Sequence, residues 1–324
     1  MVYTDSTVKN RPSVDAATRI SRIGYYLKRN WILYALMVIP LIYFLVFRYL
    51  PMLYIWMAFT DFNIFLPSVF DGEFVGLHWF REAFNRPRFG EAFRNTVVLN
   101  LLDLGVGFPA PIILAILLNE LAFKRFKRVS QTVLYMPHFI SWIIVSGMAV
   151  QLFAPTMGLI NITLVERWGL LSEPIRFLDV SANWVRTYIG LGVWKSVGWG
   201  SIIYLAAITG INQELYEAAE VDGANRLRKI WHVTLPGIRP TIVILLILNL
   251  GGMMGIEFDR PWALRNSLVL DRAEVLSTFI FVQGIRQFQF SLAAAIGMFQ
   301  SAINVVFLVI ANFLANKFGE SGIW

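Results

Sequence analysis

Cysteine is absent from this 324-residue chain, and histidine occurs only three times. The first absence removes disulfides, Cys-based zinc sites and thiol nucleophiles from consideration. The second leaves little for metal chemistry. His78, His138 and His232 fall in different regions at no metal-ligand spacing, and no Ser/His/acid arrangement accompanies them. A phosphate-binding loop is missing too: the nearest approach to GxxxxGK[ST], "GLGVWKS", has Trp194 where the second Gly is required. Charge is scarce, with Asp, Glu, Lys and Arg making up 15% of residues. These shortages put an intramembrane enzyme last among the functions to weigh, and no metal or cofactor is expected on this chain.

What the chain has in excess is apolar surface. Hydrophobic residues make up 57% of it and mean hydropathy is +0.60, far from the balance of a soluble domain. In lipid every backbone polar group must be satisfied internally, so long apolar runs predict helices rather than a barrel's alternation. The expected fold is all-α and integral to the membrane, with six spans near the length a bilayer requires. These are Trp31–Thr60 (interrupted by Pro40, Arg48 and Pro51), Thr96–Leu118, Val133–Phe153, Tyr188–Thr209, Pro240–Ile256 and Phe290–Phe318.

The net charge of +7 is spread over short loops, not gathered on one face, which argues against nucleic acid and for membrane orientation. Lys9, Arg11, Arg19, Arg22, Lys28 and Arg29 precede the first span, and "NELAFKRFKRVSQ" packs four basic residues between spans two and three. Both segments should face the cytoplasm, and with six spans the C-terminus should too. The expected organisation is a basic N-terminal segment 1–30, a transmembrane domain 31–318 and a tail 319–324. External segments carry aromatics such as Trp79 and Trp184, and 155–184 should hold one or two interfacial helices. "NIT" at Asn161 matches a glycosylation sequon, a pattern frequent by chance.

One stretch between spans four and five reads like part of a soluble protein: "YEAAEVDGANRLRKIWHVTLP", Tyr216–Pro236. Two short helices fit it, one capped by Asn212 and one by Asn225, with Gly223 as the turn and Pro236 closing the insert before the membrane. A solvated connector needs neither the small pair Ala218 and Ala219 beside Glu217 nor a Gly at a set distance before Leu235-Pro236. The spacing Glu217-Ala218-Ala219, three residues, Gly223, nine residues, Val233, one residue, Leu235-Pro236 resembles the EAA loop of binding-protein-dependent ABC importers. "RYLPMLYIWMAFTDFN", "FRNTVVLNLL", "TVLYMPHFISWIIVSG" and "AAIGMFQSAINVVFLVIANFLANKF" are similar to the maltose-type sugar permeases. The Pro137–Ser141 form and the terminal "GIW" look most like the oligosaccharide branch, which includes the alginate importer.

The resemblance implies a type I importer permease in a bacterial inner membrane, with loop 210–236 as a cytoplasmic coupling loop. Glu217, Ala218 and Ala219 would form the surface docked on a separate ATPase, Gly223 the turn, and Leu235 and Pro236 the return to the membrane. It further implies a second, related permease, two ATPases carrying ATP and Mg, and an external solute-binding protein. The substrate path would be lined on either side of the loop by Gly192, Lys195, Ser196 and Trp199 and by Asn249, Gly252 and Met253. Lys195 is the sharpest of these from the residues alone, a cation within a span that either snorkels to the interface or meets cargo, an acidic oligosaccharide giving it a partner. Asn100, Asp103, Gln151, Gln300 and Asn304 are read first as interhelical glue. The competing function is a proton-coupled carrier using Asp103 and Lys195.

Overall fold

The computed structural model describes residues 28–255 and 257–317. Most of the expected N-terminal segment, Ile256, Phe318 and the tail with its "GIW" ending lie outside those residues. The contacts divide the chain into one unit of residues 1–55 and another of residues 56–324, where the sequence suggests a single membrane domain.

Five helices are long and apolar enough to cross a membrane: Trp31–Phe59, Pro87–Asn119, Ser181–Thr209, Arg226–Gly251 and Phe290–Phe313. A further helix pair, Lys124–Phe139 and Trp142–Phe153, is apolar enough only when the two are taken together and is bent by 103°, which brings the total to six where the pair counts as one broken span. Three expected boundaries are thereby corrected. Span two starts at Pro87, not Thr96, because proline at the first helical position needs no partner for its missing N–H and Arg88, Glu91 and Arg94 are tolerated in its opening turns. Span three is not one helix from Val133 to Phe153. Pro137 lies in a tight 3-10 turn, Ile140 and Ser141 are extended, and the Ser141 Oγ accepts from the Ile144 N–H to start a new helix.

Span five begins at Arg226 rather than Pro240. Pro236 does not end the insert: a π-helical turn, Ile230–Thr234, leads directly into the helix Leu235–Gly251, where Pro236 sits in the first turn and breaks no internal ladder bond. The second helix of the insert is thus the beginning of the span.

The segment after span five is packed structure. Short helices at Asp259–Leu264, Leu270–Ala273 and Leu276–Phe281 bury Leu264, Val269, Val275, Leu276 and Phe279. Leu264, Val269 and Val275 join Leu99, Trp142, Trp184 and Tyr188 in one core cluster, and Leu276 and Phe279 join Phe89, Leu292 and Ile296 in another. Hydrogen bonds hold the segment to span two, with the Asn95 Nδ2 donating to the carbonyls of Asp271 and Glu274 and the Leu276 N–H donating to the Thr96 Oγ1. Interhelical glue of the expected kind ties the end of span five to span six: the Gln300 Nε2 donates to the Met254 carbonyl and the Met254 N–H to the Asn304 Oδ1. Between spans three and four a single short helical stretch, Leu159–Arg167, forms. Its Asn161 is buried with both ends of the amide bonded, to Ala154 and Ile175, so the sequon has a packing role.

Candidate functional site: a capped insert, a bent helix pair and a cavity

In the insert the first helix spans Gln213–Val221, and the Asn212 side chain accepts from the Glu214 N–H. Gly223 reverses the chain at φ +73°, a left-handed conformation that disfavours any side chain. The Asn225 Oδ1 then caps the second helix at the Arg228 N–H. Two contacts fasten the first helix onto the second: the Tyr216 hydroxyl meets the Thr234 Oγ1 at 3.0 Å, and the Lys229 Nζ donates to the Glu220 carboxylate. The hydrogen bond and charge of Lys229 hold the Glu220 carboxyl below its usual range. Glu217 and Ala218 are exposed, Ala219 half-buried, Leu235 half-buried and Pro236 exposed. Around them Leu215, Val221, Leu227 and Trp231 also stand exposed, apolar side chains on an otherwise charged insert.

A cavity of about 350 Å³ lies among spans two, four and five and the segment that follows. Of the expected path residues, Gly192, Ser196, Asn249 and Met253 line it; Lys195, Trp199 and Gly252 do not. Asn100, Asp103, Tyr204 and Arg260 add polar groups to a wall otherwise formed largely by apolar residues such as Leu104, Phe108 and Ile203. The larger groove near Met148, Leu152, Phe153 and Trp194 is almost wholly apolar and suits hydrocarbon better than a sugar.

Lys195 and Trp199 instead serve the broken span. The Lys195 Nζ donates to the His138 carbonyl at 2.9 Å and lies 5.3 Å from the Trp142 ring centroid, so the ammonium sits at the C-terminal end of one half-span and on the first residue of the other. The Trp199 indole stacks on His138 at 4.6 Å. Between them Gly198 meets the backbone of Leu134 so closely that a Cβ there would overlap the Leu134 carbonyl. The "GVWKSVGWG" stretch of span four is therefore a cradle for the break, and Gly252 caps the end of span five.

Arg260 was invisible to hydropathy because it follows a span in what reads as a loop. Its guanidinium donates to both carboxylate oxygens of Asp103, at 2.7 and 3.3 Å, and to the Tyr188 carbonyl at 2.6 Å. It also lies 3.7 Å from the centre of the Tyr188 ring. Gly192 makes room for it, since a Cβ there would overlap the guanidinium. The signal available in the sequence was the unexplained acid Asp103 inside span two, which demands a cation somewhere. Among the described residues no group of three or more His, Asp or Glu is placed to hold a metal ion.

Residues 107–320 match the family described as the binding-protein-dependent transport system inner membrane component. The chain belongs to this family. As a permease it is 41% identical to the LplB protein of Bacillus subtilis, over 98% of both chains. It is 42% identical to the polygalacturonan/rhamnogalacturonan transport system permease YteP of the same organism, over 97% of this chain and 98% of that one. The fold is also that of a chain in the crystal structure of a bacterial alginate ABC transporter in complex with an alginate pentasaccharide-bound periplasmic protein. That similarity has a TM-score of 0.85 and 36% identity, covering 93% of this permease and all of the other chain. As a type I ABC permease it is a transport component, not an enzyme.

Proposed function

We propose that this permease forms half of the pathway of an ATP-driven importer of acidic oligosaccharides. The observation that carries the reading is near full-length similarity to a permease for polygalacturonan and rhamnogalacturonan and to a chain of an alginate transporter, on a chain whose cavity wall includes polar groups, an arginine among them. Gly192, Ser196, Asn249 and Met253 line the path in this reading. The complete machine has a second, related permease, two ATPases that bind ATP and Mg, and an external solute-binding protein.

Loop 210–236 faces the cytoplasm with both chain termini, and Glu217, Ala218, Ala219 and the exposed Leu215, Val221, Leu227 and Trp231 meet the ATPase. Exposed apolar side chains on a charged insert are costly in water and suit a protein partner. ATPase closure draws the docked loops together, and the spans attached to them open the cavity outward to receive sugar. The proton-carrier reading has less support: Asp103 is held bidentately by Arg260 and Lys195 bonds a backbone carbonyl, so neither stands ready as a proton relay.

The test is ATP hydrolysis by the reconstituted transporter in proteoliposomes, with binding protein and uronate oligosaccharides. Stimulation is expected and should disappear with Glu217→Lys, which reverses a charge on the exposed face while leaving the fold intact. Absence of stimulation by any binding protein and oligosaccharide would remove the importer reading.

A further inference from the structure

The geometry points to Arg260 as the residue that reads the carboxylate of an acidic cargo, with Asp103 occupying the cargo's place until it arrives. This rests on the acidic-oligosaccharide reading above.

Both residues line the cavity, but unequally: the Asp103 side chain is 30% exposed and that of Arg260 11%. The carboxylate is the more accessible of the two. Arg260 does not depend on Asp103 for its position. The Tyr188 carbonyl, the face of the Tyr188 ring and the slot at Gly192 fix the guanidinium from the other side. Its Nε–H is buried with no acceptor among the described residues, so the group's donors are not fully used. Asp103, by contrast, opens a π-helical turn, Asp103–Gly107, whose "DLGVG" sequence has open space beside Gly105. A wide turn with two glycines can let the carboxylate swing away without unwinding the span.

The exchange is chemically matched. A uronate carboxylate offers the same two oxygens to the same planar fork, so one bidentate ion pair on Arg260 replaces another, and Asp103, the more exposed of the two partners, is the group that gives up its bond. A neutral sugar offers only hydroxyls and cannot make that replacement. Competition from the internal carboxylate also keeps cargo binding weak enough to release, which transport requires. The arrangement selects by charge through a competitor rather than by a tight pocket.

The test uses the whole transporter with its binding protein in proteoliposomes. Two cargoes are compared, a uronate oligosaccharide and the same oligosaccharide with its carboxyls reduced to neutral alcohols. Dividing each variant's preference by that of the unaltered protein cancels the binding protein's own selectivity. Arg260→Gln should lower uronate uptake by about tenfold or more, the 1.4 kcal/mol scale of a lost charge contact, while the reduced cargo is little changed. Arg260→Lys should recover part of the preference. Asp103→Asn should lower the half-saturating uronate concentration and leave that for the reduced cargo unaltered. The exchanged pair Asp103→Arg with Arg260→Asp should not restore uronate uptake.

Equal loss of both cargoes in Arg260→Gln, or recovery by the exchanged pair, would show a structural tie and overturn the inference. Failure of the unaltered transporter to take up any uronate would remove the acidic-cargo reading itself, before any variant is compared.

Discussion

Replacing Lys195 with methionine separates the two roles open to an intramembrane lysine. The side chain keeps its reach and loses its charge, and the structure states what is forfeited: a 2.9 Å bond to the His138 carbonyl and proximity to Trp142. A hydrogen bond from a charged group contributes about 1.5–3 kcal/mol where its partner is left buried, and less where water can replace it. Lys195 is half-buried, so the expected loss is about 1–2 kcal/mol, roughly a five- to thirtyfold rise in local opening. Hydrogen exchange at the amides of Ile140 and Val145, which bond the Pro137 and Ser141 carbonyls, should accelerate by that factor. The thermal midpoint of the transporter in lipid nanodiscs should fall with it. Uptake of acidic and carboxyl-reduced oligosaccharides should decline together, and Lys195→Arg should restore both. Unchanged exchange and midpoint, with uronate uptake alone abolished, would assign the ammonium to cargo and refute the account of Lys195 as a brace for the broken span.

Gly198→Val places a side chain against the Leu134 carbonyl and should cost about 1–3 kcal/mol, as overpacking does, seen as reduced assembly and a lower thermal midpoint; assembly at the normal level would contradict the close approach. Gly223→Ala forces a Cβ into the left-handed region and should cost about 1–2 kcal/mol, loosening the insert without touching the cavity; ATP hydrolysis should then persist while sugar uptake falls, and full uptake would contradict it. Burial pushes the Glu274 carboxyl above its ordinary range, against the pull of Arg88 and Arg265. The folded protein thus binds that proton more tightly than the unfolded chain, so this group favours folding at low pH and the contribution fades as pH rises through the raised value. Glu274→Gln should therefore stabilise the protein at neutral pH and gain nothing near pH 4; midpoints measured across that range check it, and a gain confined to acid would reverse the sign.

That the chain is built on five to six helices apolar enough to cross a membrane was legible because apolar length is a property of composition. Where helices break was not, since hydropathy reports nothing about the extended backbone at Ile140 and Ser141. The caps at Asn212 and Asn225 and the turn at Gly223 could be read because they are local chemistry. Pro236 misled for the same reason: its usual reading as a helix stop is local, while the π-helical turn ahead of it lets the helix pass. Counting along the helix from the loop, as the resemblance suggests, gathered Gly192 and Ser196, which line the cavity, together with Lys195 and Trp199, which turn to His138. Periodicity gives a face about a hundred degrees wide, and two neighbours can share it. Arg260 required tertiary structure, because its partner Asp103 lies 157 positions away in the chain.

The continuity of Arg226–Gly251 also joins the insert to the cavity. A helix of 26 residues is roughly 39 Å long at the usual rise, enough to run from the insert to the cavity as one body. Its outer end is bound to the helix Gln213–Val221 by Tyr216–Thr234 and Glu220–Lys229, so the two are tied by side chains as well as by the turn at Gly223. Its inner end carries Asn249 and Leu250 into the cavity wall. Beyond Gly252 the Met254 backbone is held by Gln300 and Asn304, which gives the lever a fixed neighbour in span six. The segment that follows carries Arg260 against Asp103 and Tyr188. In the proposed importer, movement of the insert would shift the span-five side of the cavity wall relative to span two, and the ion pair joining Arg260 to Asp103 is a contact across that boundary.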